Sequence, residues 1–81
     1  MTTPLLDFLR AASPEERQRA ADLAGTQVSY LYQIATCVRP RVSALLAIGI
    51  EDATRSLHRE NDRLPIVTVR ELATMCAVRG L

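Results

Sequence analysis

At 81 residues the chain has room for one small domain, and a body of that size buries only ~60–65% of its unfolded surface, too little to wall a large catalytic cleft. Apolar residues make up 48% and charged residues 23%, a foldable globular mixture and not a disordered one. Ten basic residues against nine acidic leave a net charge of +1, a balance that argues neither for nor against a nucleic-acid partner. No apolar run approaches the ~18 residues of a membrane span. The opening Met1-Thr2-Thr3-Pro4 sets no basic stretch before an apolar one, so no secretory leader is expected. Two cysteines, Cys37 and Cys76, are too few for a disulfide scaffold and fit a reduced, cytoplasmic protein.

In chain order, Leu5, Leu6, Leu9 and Ala12 lay out a first helical stripe. Ser13-Pro14-Glu15-Glu16 starts a second helix: Ser13 caps, Pro14 takes the first helical position, and Glu16 reaches back to the cap. This helix runs to about Ala24 with Ala20, Ala21, Leu23 and Ala24 facing inward. Gly25 breaks it, because glycine alone takes a positive φ without a Cβ clash. Thr26 then caps a third helix at about 27–35, buried through Leu31, Ile34 and Ala35. Arg39-Pro40 closes that region. Ser43 caps a fourth helix with the stripe Leu45, Leu46, Gly49, Ile50, Ala53 and Leu57. Arg59 to Arg63 reads as a loop. Leu64 to Val69 reads either as a short edge strand, on its β-branched residues and Pro65, or as the approach to a last helix opened by the capping box Thr68-Val69-Arg70-Glu71. The expected architecture is therefore all-α, four to five helices in one domain, with a short C-terminal strand as the alternative at 64–69.

One constellation carries function. A small residue, Ala21, stands four positions before Gly25, where two helices crossing steeply must approach closely. Leu31 and Ile34, six and nine positions after the glycine, anchor the third helix on the second. That spacing leaves Gln27, Val28, Ser29, Tyr32 and Gln33 along the outer face and N-terminal end of the third helix. The charge pattern agrees: no acidic residue lies between Leu23 and Ile50, while Arg39 and Arg41 do. All ten basic residues are arginine, whose fork suits phosphate and guanine edges, although an arginine-favouring genome is the simpler explanation for the missing lysine.

This helix–glycine turn–helix resembles the helix-turn-helix of the Cro and repressor proteins of lambdoid phages. The stretch Leu23-Ala24-Gly25-Thr26-Gln27-Val28-Ser29-Tyr30-Leu31-Tyr32-Gln33-Ile34-Ala35 is similar to the YdaS-type, Cro-like regulators of prophages, some of which are described as antitoxins. Ala47-Ile48-Gly49-Ile50-Glu51-Asp52-Ala53-Thr54 is similar to their fourth helix, and Val67-Thr68-Val69-Arg70-Glu71-Leu72 to their terminal element. The likeness spans residues 5 to 76. The chain departs from that pattern in a longer segment between Thr54 and Val67, and in Arg41-Val42-Ser43-Ala44, which keeps the cap and lacks the usual proline.

The resemblance implies a λ-repressor-like domain that binds double-stranded operator DNA in the cytoplasm of a bacterial host, as a Cro-like transcriptional repressor of phage or prophage type. The third helix would lie in the major groove. Gln27, Ser29 and Gln33 would read base edges, Val28 a thymine methyl, and Tyr32 a base or phosphate. Arg17, the first position of the motif, would touch the DNA backbone with Gln18 beside it, aided by the amide dipole of the second helix. Tyr30, Arg39 and Arg41 would add phosphate contacts, which position a protein without specifying sequence. The structural alternative for this face is an ordinary wet helix surface.

One reading helix covers few base pairs, so a homodimer on a near-palindrome is expected, half-sites ~34 Å apart. Leu64 to Leu81 is the candidate dimerisation segment, through Ile66, Val67, Val69, Leu72 and Met75; the same residues could instead complete the monomer core. The rival function is an antitoxin-like module that neutralises a protein partner. Enzyme chemistry finds no support. His58, the only histidine, reads as a surface residue at a helix end. Cys37 and Cys76 lack CxxC spacing, so no metal site is expected, and Cys37 reads as an inert small residue with redox sensitivity as the rarer reading. There is no glycine-rich phosphate loop, and no cofactor is expected.

Overall fold

A computed structural model describes residues 2–39 and 41–76. Five helices follow one another: α1 (Pro4–Ala11), α2 (Pro14–Ala24), α3 (Val28–Ala35), α4 (Ala44–Glu60) and α5 (Val69–Thr74). No strand occurs among the described residues, so the domain is all-α.

Each start is written locally. Thr3, Ser13, Ser43 and Thr68 accept the amide of the third residue into α1, α2, α4 and α5. Ser13–Glu16 and Thr68–Glu71 are complete capping boxes, with the glutamate accepting the cap residue's own amide. The exception is α3. Its N-cap is Gln27, not Thr26, and no side chain caps it. The turn explains the shift: Gly25 sits at φ 76°, ψ 35°, its amide donates to Asp22 O (3.1 Å), and the Thr26 amide donates to Ala21 O (2.9 Å). That pair of bonds is a Schellman closure, which commits Thr26 to ending α2 and leaves α3 to begin two residues on.

The core is built from Leu5, Phe8 and Leu9 of α1, Ala20 and Ala21 of α2, Leu31, Ile34 and Ala35 of α3, and Ala47, Ile50 and Leu57 of α4, closed by Leu64, Val67 and Leu72. α4 is the spine and packs chiefly on α2. They come close at Gly49, where a Cβ would stand 3.2 Å from the Ala24 carbonyl oxygen, so a side chain here requires α2 to give by a few tenths of an ångström. Two expected core residues lie outside. Leu23 is 55% and Leu45 85% exposed. The buried stripe of α4 is Ala47, Ile50, Ala53, Thr54 and Leu57, and Leu45 falls on the opposite side of the helix at ~100° per residue. On α2, alanines at 20 and 21 take the inner face, and Leu23 is rotated off it.

The segment at 64–69 is neither strand nor helix until Val69. It is an extended strap tied to α4 by side chains. The Val67 amide donates to Thr54 Oγ1 (3.0 Å) and the Val69 amide to Glu51 Oε1 (2.7 Å), so two buried or half-buried donors are satisfied without a partner strand. Thr54 is 1% exposed, and its hydroxyl donates in turn to the Glu51 carbonyl at 2.9 Å. His58, expected on the surface, is half-buried and holds the same strap, its Nδ1 donating to the Leu64 carbonyl at 2.7 Å. Leu64, Val67 and Leu72 are thereby spent on the monomer core; Ile66, Val69 and Met75 are half-buried. The last part of the candidate dimerisation segment, 77–81, lies outside the described residues, as does Pro40.

The cysteines correct the sequence reading. Cys37 and Cys76 form a disulfide with a Cα–Cα distance of 5.7 Å, 39 positions apart in the chain. It ties the end of α3 to the end of α5. The proximity arises only from tertiary packing, which residue spacing does not reveal. The bond also removes the reduced-cysteine argument for a cytoplasmic location. Cys37 has φ 62°, the one non-glycine residue in left-handed conformation among those described, so the bridge fixes a backbone that an ordinary side chain resists. No described helix is long and apolar enough to cross a membrane.

Candidate nucleic-acid interface

The outer face of α3 is built by its inner one. Leu31 (1% exposed) and Ile34 (0%) are fully packed, and Ala21 of α2 (0%) gives them room. Thr3 Oγ1 donates to the Ala35 carbonyl at 2.6 Å, pinning the end of α3 to the start of α1. With one side locked, α3 turns Gln27 and Ser29 fully outward and Gln33 partly so. Val28, Tyr30 and Tyr32 are half-buried and lean on the core. Within α3, Ser29 and Gln33 lie one turn apart on the side away from Leu31 and Ile34, and Gln27 is exposed at the N-cap, ahead of the helix.

Arg39 returns to this face. Its backbone amide donates to the Gln33 carbonyl (3.0 Å) and its Nε to Gln33 Oε1 (3.1 Å). Its guanidinium lies 5.9 Å from the centre of the Tyr30 ring, a cation–π contact. Tyr30, Gln33 and Arg39 thus form one unit in which the arginine holds the Gln33 side-chain amide and lies over the Tyr30 ring. Of the arginine donors, Nε is the one spent on Gln33, and a guanidinium has five N–H groups in all.

The backbone-contact candidates on α2 are placed differently. Arg17 is half-buried and its Nε donates to the Leu9 carbonyl at 2.6 Å, closing the end of α1. Gln18 donates to Asp22 Oδ1 at 2.9 Å, within its own helix. The α2 N-terminus is filled: Ser13 and Glu16 take each other's amides, and Glu15 and Glu16 put negative charge there. Glu16 is held below the ordinary carboxylate value of 4.5, first by the Ser13 amide and next by the Asn61 side chain, so it stays anionic. An incoming phosphate meets carboxylates at this end. Arg41 is exposed and has no hydrogen bond or ion pair among the described residues. It stands two positions before the cap of α4, beyond the end of α3.

No group of three or more metal-ligating side chains occurs among the described residues. Comparison with family models, with curated proteins and with solved structures finds no match for this chain.

Proposed function

We propose that this chain is a sequence-specific double-stranded DNA-binding transcriptional regulator, a Cro-like repressor of phage or prophage type, that reads the major groove with α3. One observation carries the reading. α3 is fixed by buried Ala21, Leu31 and Ile34, while Gln27 at its N-cap and Ser29 are exposed and Gln33 is half-exposed. Amide side chains on a rigid helix are chemically suited to adenine edges, each bidentate pair being worth ~1–3 kcal/mol of discrimination. Arg39 and Arg41 supply cationic charge beside them, and the absence of acidic residues from Leu23 to Ile50 keeps that side free of repulsion.

The test is a mobility shift of the full chain on its own upstream intergenic region and on a random duplex, at two salt concentrations. Tight binding to the first, weaker to the second, and a fall with salt on both support the reading. Equal, weak binding to both duplexes, unchanged by salt, overturns it. A second reading, an antitoxin-like module that holds a protein partner, is favoured by the exposed Leu45 and Ile48 on α4; in that case the shift is absent.

A further inference from the structure

The disulfide and the candidate reading face meet in one turn. Cys37 follows Thr36, the C-cap of α3, and Arg39, two positions on, folds back over that helix. Cys37 stands at φ 62°, in the left-handed region that L side chains resist. Its amide donates to the Ile34 carbonyl (3.1 Å), and the Arg39 amide donates to the Gln33 carbonyl (3.0 Å). Val38 is 68% exposed and Arg39 is exposed. The side chain that ties this turn to the C-terminal part of the domain is that of Cys37, bonded to Cys76.

The core does not depend on that bond. The buried cluster of α1 to α4 with Leu64, Val67 and Leu72 includes neither cysteine, and the strap at 64–69 has its own acceptors in Thr54 and Glu51. The two sulfurs also differ in access. Cys37 is half-buried in a surface turn, whereas Cys76 is 6% exposed. Cys76 Sγ lies 3.9 Å from the Ile34 carbonyl oxygen, so a thiol at this place has an acceptor waiting.

We propose that the Cys37–Cys76 bond is a redox latch on the candidate reading face. Oxidised, it holds the Tyr30–Gln33–Arg39 unit on α3; reduced, it frees the turn and weakens DNA binding. The proposal names a regulation of the site described above, and its consequence for DNA rests on that reading of α3. The chemistry is thiol–disulfide exchange with a dithiol reductant. The reductant's thiolate attacks the Cys37 sulfur, the S–S bond breaks, and Cys76 leaves as a thiolate that takes up a proton. The second thiol of the reductant then displaces Cys37 from the mixed disulfide. Both cysteines end as thiols, and the reductant gives up two electrons and two protons and leaves as a disulfide. Without the bridge, Cys37 relaxes out of the left-handed conformation. That movement breaks the Arg39 amide bond to Gln33 and carries the guanidinium off the Tyr30 ring.

Two readouts on the full chain, oxidised and in excess dithiothreitol, test this. The first needs no DNA. NMR of the oxidised chain shows nuclear Overhauser contacts between the Arg39 side chain and the Tyr30 ring; dithiothreitol abolishes them while far-UV circular dichroism keeps its helical signal. The second is equilibrium binding to a duplex selected from a randomised library by the oxidised chain. Reduction weakens it ~10-fold, the scale of one lost side-chain contact to a base. Arg39→Ala with the bridge intact loses a similar factor, and reducing that variant adds little, because both changes act through one side chain. Cys37→Ser binds as the reduced chain does and ignores dithiothreitol. Overhauser contacts that persist on reduction, equal affinity in both states, or a further ~10-fold loss on reducing Arg39→Ala would overturn the latch. So would a collapse of the helical signal on reduction, which makes the bond a structural staple alone. A chain that binds no duplex in either state overturns the proposed function instead, and the Overhauser contacts then decide the latch by themselves.

Discussion

The two ends of this domain are held by different kinds of interaction. The turn of the α2–Gly25–α3 unit is written in near neighbours, with a capping box three residues wide, a glycine turn, and anchors within fourteen positions of Ala21, although α2 also packs on α4 and Thr3 reaches Ala35 from 32 positions away. The strap at 64–69 and α5 are held by partners far away in the chain. Thr54 and Glu51 take amides 13 and 18 positions on, and Cys37 bonds Cys76 across 39. The difference teaches that the glycine turn and the caps are specified locally, whereas the path of the strap at 64–69 is specified by acceptors on α4.

Reducing the disulfide is the strongest way to pull the two regions apart. A bridge closing a loop of this length contributes ~2–4 kcal/mol, so a reductant lowers the urea midpoint. Hydrogen exchange should then quicken first at 64–76, with the amides of α2 holding longer. Uniform acceleration in both regions would mean that the domain has no such division.

Thr54→Val comes next. It keeps the shape and removes the hydroxyl, leaving the Val67 amide buried without an acceptor, at a cost of ~1–3 kcal/mol; Thr54→Ser should recover most of this. Gly25→Ala probes the other region. Its Cβ meets nothing within 4 Å, so the cost is purely the left-handed backbone, ~1–2 kcal/mol, and it should fall on α2–α3 rather than on the strap. Chemical denaturation reports both variants.

Acid gives the smallest effect. Glu51 is held below 4.5 first by the Val69 amide and then by Arg55, Glu16 by the Ser13 amide and Asn61, and Glu60 by Arg19. A carboxylate with a lowered folded value contributes stability that is present above its unfolded value and lost as pH falls through the folded one. Stability should therefore be level above about pH 4.5 and decline below it. Glu51→Gln should flatten part of that decline, seen as a smaller drop in Tm between neutral and acid buffer.

Legibility in the sequence followed the same divide. Ser13-Pro14-Glu15-Glu16, Gly25, Ser43 and Thr68-Val69-Arg70-Glu71 announce their turns and caps because those interactions lie within a few residues. Ala21, Leu31 and Ile34 were placed correctly because spacing fixes a helix face. The role of Thr54 was hidden, since a threonine inside a helix carries no sign that it will serve a distant amide. Leu23 and Leu45 were misplaced because hydrophobicity marks a residue as apolar and not as inward. The Tyr30–Gln33–Arg39 unit was invisible for a further reason: the chain turn through Cys37 brings Arg39 back over α3, and only the folded backbone shows it.

The central claim is that the open face of α3 reads bases. Gln27 is the sharpest probe, because it is exposed and its side chain caps nothing. The decisive measurement is equilibrium binding of Gln27→Ala to a duplex selected from a randomised library by the unaltered chain, alongside a random duplex. The account predicts a loss of ~10–100-fold on the selected duplex with affinity for the random one unchanged; an equal loss on both, or none on either, would contradict it.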